Sequence, residues 1–324
     1  MIRLFSNTKH TIYVLSSIIF CLSIPNFLFG QNKTKINSLD LVDFTQELSF
    51  TMGEDSVSYP LKKSVDPFSM NKYETSYELW YEIRIQAEKK GYKFQNPGQA
   101  GSLGKRGAKP TDETACQPVT MINWYDAIVW CNALSEINGK TPCYTYKNKV
   151  LKDSNDTASC DLCKCNFKAN GYRLPTEAEW EFAARKNKSG GFQKSNLISG
   201  QKNKKDSEEG LLYAWIYENA EATRVIGTAG VPFDPNSISE PATGNSNSCG
   251  LFDMSGNVLE FCWDWYAEYS EQNQNGPSVG SERVSRGGSW SEYTFFNNTG
   301  DRYSFDPNEY YNYFGFRICQ TISK

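Results

Sequence analysis

The chain has 324 residues, of which 39% are hydrophobic and 14% aromatic, and its formal net charge is −3. This length and composition suit one large domain or two modest ones, and they give no reason to expect a nucleic-acid partner. The single histidine, His10, lies near the N-terminus, which excludes His-dependent chemistry from the folded part: Ser–His–Asp and Cys–His nucleophiles and His-ligated zinc or iron.

Residues 1–30 have the pattern of an export leader. Basic residues precede or begin a mainly apolar run at 11–29, whose length also permits an uncleaved membrane anchor. Cys21 lies where the lipidated cysteine of a lipoprotein would lie, although Phe20 is larger than the small residue expected before it, and cleavage near Gly30 is the alternative. Both outcomes predict an exported protein at the cell surface, attached to a membrane only through its leader, as an outer-membrane lipoprotein if Cys21 is lipidated.

After a polar tether at 31–45, a folded domain is predicted at 46–324. Three helices are indicated by their N-terminal signals, in which a capping side chain is followed three residues later by an acidic one. The pairs are Thr75 with Glu78, Asn123 with Asp126, and Thr176 with Glu179. Short strand-like pieces and long irregular stretches fill the rest, which predicts an α+β fold with little regular secondary structure.

Ten cysteines in an exported chain suggest disulfides. Three of them form a tight C-x2-C-x-C cluster at Cys160, Cys163 and Cys165. A zinc site would need a second pair or added histidines, and neither is present. Disulfides or packed thiols are therefore favoured over a metal for this cluster.

Six segments carry motifs that belong together. They are PFSMNKYETS at 67–76, PVTMINWYDAIVWCNAL at 118–134, GYRLPTEAEWEFAAR at 171–185, CGLFDMSGNVLEFCWDWY at 249–266, RVSRGGSW at 283–290 and GFRI at 315–318. As a set they resemble the sulfatase-modifying, formylglycine-generating enzyme family, whose domain is a variant of the C-type lectin fold. Within these motifs Trp180 and Phe182 are expected in the core, and Gly287 and Gly288 are expected to allow close backbone approach before a strand.

The family's enzymes oxidise a substrate cysteine with copper and two cysteines that follow the GGS motif. The matching window here, SEYTFFNN at 291–298, has no cysteine, and Glu292 or Asn297 cannot supply a thiolate or a copper ligand. The resemblance therefore implies the scaffold of the enzymes without their chemistry, and no required cofactor. The alternative is a divergent oxidase that uses other cysteines, such as Cys249, Cys262 or Cys319.

A structural calcium site of the family matches the loop DMSGNVLE at 253–260. The matching positions are Asp253, Gly256, Val258 and Glu260. Two carboxylates and two backbone carbonyls are suitable ligands for a hard cation. The alternative, in which the two carboxylates cap turns or pair with arginine, stays open.

Residues 291–313 are composed of a small set of residue types. Nineteen of the 23 are Tyr, Phe, Asn, Asp, Ser, Thr or Gly, eight are aromatic, and none is Leu, Ile, Val, Ala, Met or Lys. Tyrosine gives a large contact area with few rotors to freeze, and Asn and Ser give adaptable hydrogen bonds. Missing aliphatics argue against a core strand. The segment is therefore predicted to be a binding loop, pinned at its ends by GGSW and FGFR.

This arrangement resembles the C-type-lectin-fold proteins that retroelements diversify, which carry a variable segment between the same two anchors. Adenine mutagenesis of AAC-type codons yields Asn, Tyr, Ser, Phe, Thr, Asp and Gly. The resemblance implies a non-enzymatic, monomeric binding protein with a macromolecular ligand, protein rather than nucleic acid, and fixed scaffold positions at Arg302 and Pro307. The predicted contact residues are Ser291, Tyr293, Phe295, Phe296, Asn298, Asp301, Tyr303, Phe305, Asp306, Asn308, Tyr311, Asn312 and Tyr313. A fixed-sequence accessory protein of the cell envelope is the remaining alternative.

Overall fold

The structure is a computed structural model, and it describes residues 39–46, 48–53, 59–203, 207–270 and 276–322. The predicted leader at 1–30, with Cys21, lies outside the described residues and stays a prediction. Among the residues described, no helix has the length and apolar character needed to cross a membrane.

Short helices and short strands alternate with long irregular connections. The helices are α1 Tyr77–Glu88, α2 Trp124–Ile137, α3 Thr157–Asp161, α4 Glu177–Arg185 and α5 Ser207–Leu211. The strands are β1 Leu41–Phe44, β2 Ser49–Met52, β3 Leu61–Ser64, β4 Phe68–Asn71, β5 Gln99–Ala100, β6 Val119–Thr120, β7 Tyr144–Tyr146, β8 Lys149–Val150, β9 Lys164–Cys165, β10 Tyr172–Arg173, β11 Leu259–Trp265, β12 Arg283–Arg286, β13 Arg302–Phe305, β14 Phe314–Gly315 and β15 Cys319–Thr321. The α+β prediction is confirmed.

Two four-stranded sheets organise the described part of the chain. The first has the order β1-β4-β15-β10, with antiparallel pairs throughout. The second has the order β13-β12-β11-β14, in which only the β11–β14 pair is parallel. Because β14 and β15 belong to different sheets, the short GFRI segment between them joins the two sheets.

The capping signals of α2 and α4 are confirmed. Asn123 and Asp126 exchange side-chain-to-backbone hydrogen bonds at the start of α2, and Thr176 and Glu179 do the same at the start of α4. These reciprocal bonds satisfy backbone N–H groups that a helix start leaves unpaired.

The predicted start of α1 at Thr75 is one residue too early. The cap is Ser76, whose side chain accepts a hydrogen bond from the backbone N–H of Leu79 at 3.3 Å. The backbone N–H of Thr75 donates to Phe316 O at 2.8 Å, and its carbonyl accepts from Val119 N at 2.9 Å. These long-range bonds hold Thr75 outside the helix.

The last residues of the predicted tether at 31–45 are not a tether, because residues 41–44 form strand β1. Strand β1 pairs antiparallel with β4, from Leu41 opposite Asn71 to Phe44 opposite Phe68. Phe44 is buried and its ring centroid lies 4.9 Å from that of Phe68. The folded domain therefore includes residues 41–44 and does not begin at 46.

Aromatic rings fill much of the core, as expected for a fold with irregular gaps. Trp80 and Trp130 stack with ring centroids 5.7 Å apart, and Phe316 meets both edge-on. Trp180 and Phe182 are fully buried in a second core cluster, as predicted. The nine described cysteines are free thiols, and the described residues contain no group of three metal-ligating side chains. Cys160, Cys163 and Cys165 are accordingly packed thiols.

Candidate ligand-binding surface

The segment at 291–313 has an internal structure of its own. It begins with a 3₁₀ turn at Thr294–Phe296, continues into β13, and ends in a turn-rich stretch before β14. Strand β13 pairs antiparallel with β12, with Arg302 opposite Arg286 and Phe305 opposite Arg283. The predicted single loop is therefore wrong, because its middle is a strand of the second sheet.

Main-chain hydrogen bonds tie this segment to the rest of the fold along its length. The bonds are Tyr217 N to Glu292 O at 3.0 Å, Thr299 N to Leu197 O at 2.9 Å, Gly300 N to Ser195 O at 2.7 Å, Trp124 N to Pro307 O at 3.3 Å, Met121 N to Tyr311 O at 3.1 Å, and Leu259 N to Tyr313 O at 2.8 Å. A backbone bond does not require a particular side chain at either end. These bonds therefore hold the path of the segment whichever side chains its exposed positions carry.

The segment also packs closely against the glycines of the GGSW motif. Gly288 has φ +71°, and a Cβ added there would lie 2.1 Å from Asn297 Oδ1. The Asn297 amide donates to Tyr293 O at 2.9 Å and to Glu292 O at 3.1 Å. Both glycines follow β12, so the expectation that they precede a strand is corrected. Their role is close approach, as predicted.

A buried ion pair anchors β13 to helix α4. Arg302 meets the Glu177 carboxylate in a bidentate pair, with Nε–Oε1 at 2.6 Å and Nη2–Oε2 at 2.9 Å. Burial works to raise the pKa of Glu177, but Arg302 and the nearby Arg286 outweigh it and hold that pKa below its ordinary value. Pro307 is also buried. Both side chains are thus buried, and their fixed identity stays a prediction.

Most predicted contact residues lie at the surface. Phe295 is the most exposed ring, at 63%, and Tyr293, Phe296 and Tyr311 are also exposed. Asp306 and Asn308 are exposed, whereas Ser291, Asn298, Asp301, Asn312 and Tyr313 are half-buried.

Of the predicted contact residues, Phe305 belongs to the interior and Tyr303 is half-buried beside it. Phe305 is only 3% exposed, and its ring centroid lies 4.8 Å from Phe261 and 5.0 Å from Phe314. Tyr303 points to the same face of β13, since side chains alternate along a strand; it packs on the core and donates its hydroxyl to Phe296 O. The assignment of Phe305 as a ligand contact is wrong, and Tyr303 has mainly a structural role. The missing aliphatics were misleading because aromatic rings fill this core position.

The exposed rings form two clusters. In the first, the ring centroid of Tyr293 lies 4.5 Å from that of Tyr217 and 6.1 Å from that of Phe295. The ring centroids of Phe295 and Phe296 are 4.1 Å apart. Tyr217 is 56% exposed and comes from outside the segment, so no local sequence signal marked it.

In the second ring cluster, Tyr311 stacks on Tyr313 at 5.1 Å, and Arg106 lies 4.8 Å from the ring of the exposed Tyr310. Tyr310 was absent from the predicted contacts although it shares the restricted alphabet of the segment. The restricted composition of the segment is the sequence signal that could have identified Tyr310.

Acidic side chains accompany the N-terminal part of the segment, around the first cluster. Glu218 accepts hydrogen bonds from the backbone N–H of Thr294 at 3.0 Å and from its hydroxyl at 2.7 Å. Glu292 accepts from the Ser289 hydroxyl at 2.6 Å, and burial raises the pKa of Glu292. Asp301 accepts from the backbone N–H of Asn298 at 3.0 Å, so it stabilises the turn before β13.

One of the four residues matched to the family's calcium loop, Glu260, has other partners in the structure. Arg317 holds both oxygens of Glu260, at 2.6 and 2.7 Å, and Trp180 Nε1 donates to the same carboxylate at 2.7 Å. Glu260 as a calcium ligand is therefore corrected, since it has the arginine partner of the alternative interpretation. Calcium at Asp253, Gly256 and Val258 stays an untested prediction.

The cysteines of the oxidase alternative are partly or fully buried. Cys262 and Cys319 are fully buried, and burial raises the pKa of both thiols. Cys249 is partly exposed, but burial also raises its pKa. Such shifts lower the fraction of thiolate, which is the nucleophile and metal ligand.

The chain belongs to the family with a sulfatase-modifying factor enzyme 1-like domain, which matches residues 37–322. It is 31% identical to the chaperone protein LppX of Paenibacillus barcinonensis over 234 residues, which cover 70% of each chain. It is 34% identical to the formylglycine-generating enzyme of Streptomyces coelicolor over 37% of this chain and 36% of that one.

Among solved structures, the fold is similar to that of Treponema denticola variable protein 1, with a TM-score of 0.66 and 26% identity over 87% of this chain and 95% of that one. CarF has a TM-score of 0.67 and 24% identity over 89% of this chain and all of that one. These findings confirm the predicted family resemblance and the lectin-type α+β fold.

Proposed function

We propose that the chain is an exported, non-catalytic binding protein whose exposed side chains in residues 291–313 form a variable site for a macromolecular ligand, a protein rather than a nucleic acid. One observation carries this proposal. Main-chain bonds hold the segment at positions spread from 292 to 313, while the rings of Tyr293, Phe295, Phe296, Tyr310 and Tyr311 stay exposed. Side chains on such a surface change without a change of backbone path.

The chemistry of the surface supports a protein ligand. Rigid aromatic side chains are the usual anchors of binding sites, and adjacent carboxylates and amides select among partners. The two ring clusters supply the anchors, while Asp306, Asn308 and the half-buried Asn312 supply polar contacts.

The absence of catalysis is part of the proposal. Glu292 and Asn297 stand where the family's enzymes have their cysteines, and both act in the turn that holds the segment. We expect the purified chain to leave a cysteine-containing substrate peptide unoxidised in the presence of copper and oxygen, and to need no cofactor for ligand binding. Turnover that depends on Cys249, Cys262 or Cys319 would favour the oxidase instead.

Export through the leader, lipidation of Cys21, surface display and a monomeric state complete the proposal. Labelling with a palmitate analogue, compared between the natural chain and Cys21→Ala, tests lipidation. Protease shaving of intact cells tests display.

The decisive experiment for diversification is genetic. Sequences of this locus from sister isolates should differ mainly at the exposed positions of 291–313, while Arg302, Phe305 and Pro307 stay constant. A nearby repeat of the 3′ coding region, with adenines at the variable codons and a reverse-transcriptase gene beside it, is also expected. Differences scattered evenly along the gene would contradict the proposal.

A display experiment tests the binding role directly. One library randomises Tyr293, Phe295, Phe296, Asn308 and Tyr311 to Tyr, Phe, Asn, Ser or Asp, and is selected against hen egg-white lysozyme. A matched library randomises five buried positions of the same segment, which are Asn297, Thr299, Arg302, Phe305 and Pro307. We expect folded binders from the first library and protease-sensitive chains from the second. Equal loss of folding in both would contradict a variable surface.

The identity to chaperone protein LppX supports a second candidate, a fixed-sequence accessory protein of the envelope. This candidate predicts a segment that does not vary between isolates and a constant envelope partner. Suppression of the aggregation of denatured citrate synthase by the purified chain, together with an invariant segment, would favour it.

A further inference from the structure

A second concave site lies beside the proposed variable surface. It is a cleft of about 550 Å³ between the loop at 100–104 and two stretches at 222–225 and 233–239. This volume falls within the roughly 300–1,000 Å³ typical of ligand pockets. Nothing in residues 291–313 lines it.

The walls of the cleft carry apolar side chains that the fold leaves uncovered. Leu103 is 83% exposed, and Phe233 and Ile238 are also exposed. Three large apolar side chains around one concave surface indicate a site that buries an apolar group of a partner.

The cleft also contains the cation Arg224, which forms no salt bridge with a carboxylate among the residues that the structure describes. The Arg224 guanidinium lies 3.7 Å from the ring centroid of Phe233, and its buried Nε has no hydrogen-bond partner within the described part of the chain. Its backbone N–H donates to Asn257 Oδ1 at 2.9 Å, which holds the residue in place. A guanidinium whose face stacks on a ring keeps its N–H groups in the plane, where they can meet a carboxylate.

Burial lowers the pKa of Arg224, and Glu221 only partly offsets this effect. The environment thus makes the cation less stable than in water. A bound anion would relieve that cost.

The cleft and the variable surface are neighbours, connected by the loop at 100–106. Ser102 O accepts a hydrogen bond from the Asn312 amide at 3.4 Å, and Arg106 lies over the ring of Tyr310. The chain stretch that lines one side of the cleft therefore also contacts residues 310 and 312 of the variable surface.

We propose that this cleft binds a peptide segment in which an apolar side chain stands next to a carboxylate, with the side chain between Leu103, Phe233 and Ile238 and the carboxylate on Arg224. A phosphate-rich polyanion is disfavoured, because Glu113 lines the cleft and Glu221 lies near its single arginine. The inference deepens the proposed function by giving the binding surface a constant anchor outside the variable positions.

The test uses the full mature chain and peptides with a fluorine label, followed by fluorine NMR titration. The first probe is acetyl-Ala-(4-fluoro-Phe)-Leu with a free carboxylate, the second is its C-terminal amide, and the third is acetyl-(4-fluoro-Phe)-Leu-Asp amide, which moves the carboxylate to a side chain. A hydrogen-bonded charge pair predicts that at least one carboxylate probe binds about tenfold or more tightly than the amide. The carboxylate probe that binds more tightly tells whether the cleft prefers the carboxylate of a chain end or that of an acidic side chain.

Matched variants separate the two parts of the cleft. Arg224→Gln should remove the preference for the carboxylate and leave amide binding unchanged, while Phe233→Ala should weaken all probes. The exposed residues Lys149 and Leu162 supply controls, Lys149→Gln and Leu162→Ala, which should change nothing.

Equal affinities for acid and amide, no binding of any probe, or full preference in Arg224→Gln would each overturn the proposal. Variation at 291–313 is measured independently, so failure of the cleft and failure of the variable surface are distinguishable.

Discussion

Arg302 and Glu177 form a buried bidentate ion pair that connects the middle of the displayed segment to the first turn of helix α4. Their side chains are 4% and 0% exposed, and the two carboxylate oxygens lie 2.6 and 2.9 Å from guanidinium nitrogens. Tyr269 adds a hydroxyl donor to the same carboxylate at 2.9 Å. A segment rich in polar and aromatic side chains is thereby held to the core at its centre as well as at its ends.

Replacement of Arg302 with alanine should lower the stability of the fold. Arg302→Ala leaves the buried Glu177 charge only partly compensated, so we expect a loss of about 3–5 kcal/mol in the free energy of unfolding. Urea unfolding measures it. Lys149→Ala, on an exposed strand, is the control and should change stability by less than about 0.5 kcal/mol. A loss in Arg302→Ala no larger than that of the control would contradict a structural role for the pair.

Replacing each of two phenylalanines ten residues apart with alanine should have very different effects on stability. Phe305→Ala opens a cavity beside Phe261 and Phe314, and we expect it to destabilise the fold by about 3–5 kcal/mol. Phe295→Ala removes an exposed ring and should alter stability by less than about 0.5 kcal/mol. Thermal unfolding of the two variants compares them directly. Similar losses in both would mean that the segment is not divided into core and displayed positions.

Gly288 and Gly139 form a matched pair for backbone strain. Both have positive φ, +71° and +67°, but a Cβ at Gly288 would meet Asn297 Oδ1 at 2.1 Å while nothing lies within 4 Å at Gly139. Gly139→Ala should therefore cost only the left-handed backbone penalty of about 1–2 kcal/mol. We expect Gly288→Ala to cost at least about 2 kcal/mol more, since the turn at Asn297 must move. Equal losses in urea unfolding would show that this close approach is unimportant.

The buried Asp253 should impose a pH dependence on stability. Burial raises the pKa of Asp253 from 3.8 to about 6, with Glu260 adding to the shift and Gly227 and Arg317 opposing it. Between these values the folded chain keeps a proton that the unfolded chain has released. Stability therefore falls as pH rises through this window, by about 3 kcal/mol for this group.

Asp253→Asn removes that titration. Unfolding free energies should be measured for both proteins from pH 4 to pH 7. As pH rises, the stability of the variant should increase relative to that of the natural chain. Parallel pH profiles of the two proteins would contradict the raised pKa.

Local signals in the sequence predicted local structure well. The capping pairs at Asn123 and Thr176 specify helix starts because their hydrogen bonds span only three residues. Thr75 was misassigned because its main chain bonds to Phe316 and Val119, which are distant in sequence. Strand β1 was missed for a related reason, since a four-residue strand is stabilised by its partner β4 and not by its own pattern.

The sequence by itself determined the family, the fold and the restricted chemistry of residues 291–313, because motifs and composition are visible without coordinates. Only the tertiary structure decided which of those side chains face outward. Exposure depends on the register between β12 and β13, which buries Phe305 against Phe261, and on partners such as Glu177 and Tyr217 that lie far away in the chain. The cleft at Arg224 has the same origin, since its walls come from loops more than 100 residues apart that only folding brings together.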